Sequence, residues 1–401
     1  MNDGTEIKAI MEIPEYALSV MRKLREAGEQ VYTVGGCVRD AFLGLTPNDY
    51  DMTVSCPPER TLEILHELRT IPTGLKHGTV TVISEGNPIE ITTFRVDGDY
   101  KDSRRPDSVS FTRRVEEDLA RRDFTVNAMA YSPWEGTVDL FGGREDLKAK
   151  IIRAVGDPET RFEEDALRIM RAFRFSAQLG FSIDEDTLMG AQARREGLAN
   201  IARERIGVEF IKLLCSEGAQ GSLSLMAEYG ITEYVTGGYM PSAHTLSALS
   251  RLENDDEIRL GTFLLDAQAE TSRSIIDGLR YSNRLKSHAL HIAEHARKKI
   301  ETPRDATLLR GAVGDETALK VAKVSSAIGA SSAEAVELVR GNRAPSRISE
   351  LAVGGEELME LGFSGREVGK ALRALLDTVI EDPSLNQRDI LLELALGMRK
   401  S

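Results

Sequence analysis

Residues 31–44, VYTVGGCVRDAFLG, and the run Asp49-Tyr50-Asp51-Met52-Thr53-Val54 that follows them decide the fold of this 401-residue chain. The first run reads as a strand, a turn at Gly35-Gly36 and a short helix beginning near Cys37. Paired glycines let a backbone approach a ligand closely, and the free N–H groups at a helix start suit a phosphate. Arg39 falls in the first turn of that helix and is expected to project beside a triphosphate. After a turn at Thr46-Pro47-Asn48, the alternation in DYDMTV puts Asp49 and Asp51 on one strand face and Tyr50 and Met52 on the other. Two adjacent carboxylates repel one another unless a cation lies between them. Mg²⁺ suits such a site, because it takes few carboxylates together with substrate phosphate oxygens.

Outward from this stretch, residues 31–93 keep the same character, with apolar, β-branched runs (TVTVI, IEITTF) alternating with helical stretches such as PERTLEILHELR. Ala130 to Val138 holds the last strand to be expected, and from Gly143 onward apolar residues recur at helical spacing to the C-terminus. Punctuation at Gly156-Asp157-Pro158, Gly237-Gly238, Thr302-Pro303 and Gly354-Gly355 divides that half into helical subdomains. Hydrophobic residues make up 41% without a long apolar run, so no membrane span is expected. Cys37, Cys56 and Cys215 are widely spaced, and the start MNDGTEIKAI lacks signal-peptide character, which together predict a cytoplasmic protein. A net charge of −13 speaks against indiscriminate nucleic-acid binding, yet arginines cluster at Arg121/Arg122 and at Arg168/Arg171/Arg174.

The arginine clusters lie in two further motifs. One is RRDFTVNA, Arg121 to Ala128. The other is a helix expected over Phe162 to Phe181, with Asp157 and Pro158 as its cap and first-turn residue. On its wheel Ala166, Ile169, Met170, Phe173 and Ala177 gather on a core side. Arg168 and Arg171 fall opposite, with Asp165 and Arg174 at the borders, and three arginines in a row there suggest an anion.

GGCVRDAFLG with DYD, RRDFTVNAMAY, EEDALRIMRAFRF and, more weakly, ARERIGVEF together resemble the class II tRNA nucleotidyltransferases and their relatives the bacterial poly(A) polymerases, within the DNA polymerase β superfamily. The resemblance spans roughly residues 30 to 215. It implies an α+β protein: a mixed α/β nucleotidyltransferase head (1–149), a helical neck with a base-reading helix (150–215), and a helical body and tail that bind tRNA (216–401). It further implies Gly36 and Arg39 at the nucleotide, Asp49 and Asp51 at Mg²⁺ as catalytic residues, and Glu90 in IEITTF as a candidate third carboxylate. Arg122 would contact phosphate, Asp123 and Asn127 the sugar hydroxyls, and Arg171 and Arg174 the triphosphate. Asp165 and Arg168 would read the base. Cytosine and adenine both offer an amine donor beside a ring-nitrogen acceptor, matching a carboxylate and a guanidinium, whereas uracil and guanine reverse the pattern.

The implied activity is addition of C, C and A to the tRNA 3′ end from CTP and ATP. Poly(A) polymerase or A-only addition is the nearest alternative; a nucleotidyltransferase for another substrate, or an inactive RNA-binding module, is more distant. Residues 97–111, DGDYKDSRRPDSVSF, read as a surface loop of the kind that relatives need to switch from C to A. His291-Ile292-Ala293-Glu294-His295 has zinc-peptidase spacing but reads as part of a basic helix.

Overall fold

The computed structural model of the chain describes residues 11–97 and 109–400. They fall into two compact units, one running to Leu213 and taking in Gly221–Gly238, the other comprising Leu214–Gln220 and the chain from Tyr239 onward.

In the first unit, α1 (Glu15–Glu26) buries Ala17, Val20, Met21 and Leu24, a helical stripe that packs against β1 (Val31–Val34). The chain turns at Gly35 into α2 (Gly36–Phe42), one residue earlier than the sequence suggests. Next come β2 (Met52–Val54), α3 (Pro58–Ile64), β3 (Arg69–Gly74), β4 (Thr79–Ser84) and β5 (Asn87–Thr93). β6 (Arg95–Asp97) pairs antiparallel with β7 (Val109–Phe111), so the ends of the segment read as a loop are a short ribbon. Residues 98–108, and the expected C-to-A loop with them, lie outside the described residues. After α4 (Val115–Ala120), strands β8 (Met129–Ser132) and β9 (Gly136–Asp139) complete a seven-stranded sheet in the order β3-β4-β5-β2-β1-β8-β9. Only β2 and β5 run parallel within it. Tyr32, Val34, Phe94 and Ala130 form one core cluster with Val115 and Leu119 of α4.

Helices follow: α5 (Gly143–Ala149), α6 (Pro158–Glu164), α7 (Leu167–Leu179), α8 (Glu185–Arg194), α9 (Arg203–Leu214), α10 (Ala219–Glu228) and α11 (Thr232–Thr236). Between them β10 (Ile151–Ile152) and β11 (Ser182–Ile183) pair in parallel, two strands too short to leave a periodic signal. The helix expected over 162–181 is in fact two. Asp157 caps α6 by accepting the Thr160 N–H, but the chain extends at Asp165 (φ −145°, ψ 101°) before α7 begins. The expected core side of α7 is as read, since Ala166, Ile169, Met170, Phe173 and Ala177 are all buried.

The second unit is helical: α12 (Ala243–Leu249), α13 (Asp256–Phe263), α14 (Ala269–Gly278), α15 (Asn283–His295), α16 (Pro303–Val313), α17 (Asp315–Ala327), α18 (Glu334–Gly341), α19 (Gly355–Glu360), α20 (Arg366–Glu381) and α21 (Arg388–Lys400). Thr302 and Asp305 form a reciprocal capping box at α16 with Pro303 in its first turn, which is why Thr302-Pro303 marks a helix start. One core joins Ile258, Ile292, Val321 and Val339; another, near the C-terminus, joins Leu358, Leu375, Val379 and Leu391. Among the described residues no helix is long and apolar enough to cross a membrane.

Candidate active site

Three neighbouring strands bring the first motif together. The Val34 N–H donates to the Asp51 carbonyl (3.0 Å) and the Gly35 N–H to the Met129 carbonyl (3.3 Å), so the glycine turn sits at the ends of β2 and β8. Gly35 has φ +74°, a conformation that favours glycine, and a Cβ there would lie 3.2 Å from Arg122 Nη1, so that guanidinium would have to shift slightly. Arg39 does not project from α2. It is buried, folding back to donate from Nη1 to Asn127 Oδ1 (2.8 Å) and from Nε to Asp40 Oδ1 (2.9 Å).

Asp49 and Asp51 lie in an extended lead-in just before β2, whose ladder begins at Met52. The alternation holds: both aspartates are exposed, while Tyr50 turns inward onto Tyr16 and Met52 is buried. Met52 pairs with Ile91 across β2 and β5, so Asp51 and Glu90 each lie one position before that pair. The Asp51 carboxyl is pushed up to about 6, by loss of hydration against the surrounding protein and then by the charges of Asp49 and Glu90, with Arg122 pulling the other way. The charges of Asp49 and Glu90 felt by Asp51 are of the kind a divalent cation relieves, so the donor set is chemically suited to one.

Arg122 connects the carboxylates to the second motif. Asp118, wholly buried, accepts from Arg121 Nη2 (2.8 Å) and Nε (3.0 Å), from Arg122 Nη2 (3.2 Å), and from Thr53 Oγ1 (3.4 Å). Asp123 accepts from Arg171 Nε (2.7 Å), the Phe124 N–H (2.8 Å) and Asn127 Nδ2 (3.2 Å). Its burial favours the neutral acid, but the charge and hydrogen bond of Arg171, the charge of Arg168 and the Asn127 amide outweigh that and hold it at about 2. Arg39, Asn127, Asp123 and Arg171 thus form one continuous hydrogen-bonded chain.

A cleft of 280 Å³ opens beside this chain, lined by Arg121, Arg122, Arg168, Arg171 and Arg205, by Asp123 and Asp165, and by Leu167. Asp165 and Arg168 both line it without pairing with one another. Asp165 Oδ1 accepts the Leu167 N–H (3.0 Å), and Oδ2 accepts from Arg205 Nη2 (3.0 Å). Arg168 is buried; its Nη1 donates to the Arg161 carbonyl (2.9 Å) and to Glu164, and its Nη2 to the Arg121 carbonyl (2.9 Å). Arg174 is not in the cleft. It is buried in an ion pair with Glu209 of α9 (2.6 Å), hydrogen-bonded to Gln178 and stacked 3.6 Å from the Phe175 ring centroid. Asp118, Glu164 and Arg205 were missed in the sequence, although Arg205 stands in the ARERIGVEF motif.

A larger hollow of 920 Å³ on the Tyr50 side has no cation in its lining among the described residues. In the second unit, His291, Glu294 and His295 bring potential ligand atoms within 4.8 Å of one another, as do Glu257, His288 and Glu316. Lys298 Nζ stands 3.2 Å from His295 Nδ1, and Glu257 is already paired with Lys320 (2.6 Å) and Arg284 (3.0 Å). At Glu257 those ammonium and guanidinium groups already supply the positive charge, whereas Lys298 meets His295 at Nδ1 and leaves Nε2 on the Glu294 side.

The chain as a whole is similar to known proteins. Residues 31–153 match the family described as poly A polymerase head domain, and residues 180–239 match a probable RNA and SrmB-binding site of polymerase A. The chain is 50% identical to the CCA-adding enzyme of Leuconostoc mesenteroides subsp. mesenteroides over 56% of its own length and about half (55%) of that relative's. With the CCA-adding enzyme of Limosilactobacillus fermentum the identity is 37% and extends over 96% of this chain and 98% of the relative. The crystal structure of the Bacillus stearothermophilus CCA-adding enzyme in complex with CTP superposes with a TM-score of 0.85 at 33% identity, covering 97% of this chain and 98% of that one.

Proposed function

The chain belongs to the family of CCA-adding enzymes, and from that membership we propose how its own residues complete a tRNA. It is a nucleotidyltransferase that adds C, C and A to the tRNA 3′ end, with CTP and ATP as donors and pyrophosphate as the product. Full-length similarity to CCA-adding enzymes favours this over poly(A) synthesis, which shares the head. Retention of the carboxylates and of the arginine-lined cleft counts against a non-catalytic module. The cysteine usage supports a cytoplasmic setting.

The terminal tRNA 3′-hydroxyl attacks the α-phosphate in line and pyrophosphate leaves, so the protein works by positioning and charge stabilisation. Asp49 and Asp51, with Glu90 beside them, would hold Mg²⁺, which when bound lowers the barrier by stabilising charge on the attacking and leaving oxygens. Gly35 and Gly36 keep the backbone low where the triphosphate passes. Arg122 and Arg171 bring positive charge to it, the first anchored on Asp118 and the second on Asp123. Asp123 and Asn127 act on the sugar side from within that chain, and Arg39 steadies Asn127 from below. Arg174 acts at one remove, by locking α9 to α7.

One observation carries the base-reading assignment: Arg168 is clamped so that one edge remains available. A guanidinium has five N–H groups. Both on Nη1 and one on Nη2 are taken by the Arg161 carbonyl, Glu164 and the Arg121 carbonyl, leaving the second Nη2–H and the Nε–H. That remaining edge suits N3 and O2 of cytosine or N1 of adenine. Each Asp165 oxygen keeps a lone pair for the exocyclic amine. Uracil and guanine would set a carbonyl against Asp165 and an N–H against Arg168, leaving both pairs unmade.

The test is incubation with tRNAs ending before, within or after CCA, supplying each labelled NTP. Addition that halts at CCA supports the reading, whereas long A tails on arbitrary RNA would overturn it.

A further inference from the structure

We propose that Arg205 is a specificity-setting positioning residue, fixing the plane of the Asp165 carboxylate on which discrimination against UTP and GTP depends. The proposal deepens the base-reading assignment and rests on it.

Asp165 occupies an extended interruption between α6 and α7, and within that mostly buried position the direction of its carboxylate rests on the contacts its two oxygens make. Its Oδ1 is tied to the Leu167 N–H, a single contact about which the carboxylate can still turn. Arg205 supplies the second, at Oδ2, 3.0 Å from Nη2. Two anchors on different oxygens define the plane, and one lone pair on each oxygen stays open for an amine. The helix that bears Arg205 is itself held, although the Arg205 side chain is partly exposed. One helical turn further along α9, Glu209 forms the buried pair with Arg174 of α7, so the helix bearing Arg205 is bolted to the helix that Asp165 precedes.

Discrimination also needs a repulsive element. A carboxylate in a fixed plane keeps its lone pairs aimed at the position where uracil and guanine would place a carbonyl. One that can swing aside removes that penalty and leaves the cleft permissive.

The experiment is a double-mutant cycle over Asp165→Ala, Arg205→Ala and the pair, with Arg205→Lys added, read as single-turnover kcat/KM for all four NTPs on a tRNA lacking its terminal nucleotides. Primer affinity and thermal unfolding are measured in parallel. Arg205→Ala is expected to lower CTP and ATP efficiency roughly tenfold, the scale of one charge-assisted contact, and to shrink the CTP:UTP ratio by a similar factor. Arg205→Lys should recover part of that ratio, and the effect should vanish in the Asp165→Ala background. An equal loss for all four NTPs, or weakened tRNA binding with the ratio intact, would mean that Arg205 contacts phosphate or RNA directly and would overturn the proposal. So would effects that add in the double variant. If Asp165→Ala shrinks the CTP:UTP ratio while Arg205→Ala leaves it alone, this proposal fails and the base-reading assignment stands; if Asp165→Ala leaves the ratio unchanged, the base-reading assignment itself fails.

Discussion

Replacing Arg168 by lysine keeps its charge and removes its shape. The guanidinium holds two backbone carbonyls, those of Arg161 and Arg121, and ion-pairs with Glu164 from a nearly buried position. An ammonium reaching Glu164 cannot span the two carbonyls, nor can it offer the remaining Nε–H and Nη2–H edge to a base. Each carbonyl left without a donor costs about 1 kcal/mol or more, so the variant should lose roughly 2 kcal/mol of stability. Loss of the base contact, a hydrogen bond involving a charged group, costs on the order of 1.5 to 3 kcal/mol, or roughly ten- to more than a hundred-fold in kcat/KM for CTP and ATP. UTP never made that contact and should change far less, so the CTP:UTP ratio should collapse by nearly the same factor. Single-turnover addition well below the variant's unfolding midpoint measures the ratio, and urea denaturation measures the stability term. A variant that loses CTP efficiency while keeping the wild-type ratio would refute the reasoning, because Arg168 would then be a structural clamp and the base would be read elsewhere.

Asp49→Ala and Asp51→Ala should each abolish addition at saturating Mg²⁺ while leaving tRNA affinity nearly unchanged in a gel-shift titration; near-normal turnover by either would exclude the metal site. Because the folded Asp51 carboxyl titrates near 6, above its unfolded value, its ionisation opposes folding; the cost is absent below about pH 4 and complete above about 6. Asp51→Asn should therefore raise the melting temperature of the chelator-treated protein at pH 8 and have little effect at pH 4. Protons should likewise compete with the cation below about pH 6, so the Mg²⁺ concentration for half-maximal activity should climb between pH 7 and pH 5. Gly35→Ala must adopt φ +74° with its Cβ 3.2 Å from Arg122 Nη1, a conformation costing on the order of 1–3 kcal/mol; it should slow addition with all NTPs alike, as measured by kcat/KM for each.

What the sequence made legible was local. Gly35-Gly36, the alternation around Tyr50, the Asp157-Pro158 start and the Thr302-Pro303 boundary are each settled within a few residues, and the structure has them within a residue of where the pattern puts them. What escaped depends on partners far along the chain. Arg174 looks like an available cation until Glu209, 35 residues on, buries it. Arg39 is turned inward by Asn127, 88 residues away. Asp118 is one acid among several in VEEDLA, distinguished only by the arginines and the threonine that close over it. The break at Asp165 has no proline or glycine to announce it, since Glu164, Ala166 and Leu167 all favour helix.

That break carries an evolutionary consequence. Asp165 lines the cleft from an extended backbone between two helices, so main-chain torsions bring the residue there and its side-chain anchors then orient the carboxylate. Closing the gap into one unbroken helix would swing the residue about the axis by up to about 100° per position and carry the carboxylate away from the base. On the proposed base reading, substitutions that raise helix propensity here, an easy route to a more heat-resistant protein, would blur the distinction between cytosine and uracil. If Asp165 reads the base as proposed, selection for thermal robustness and selection for fidelity pull in opposite directions at this one residue.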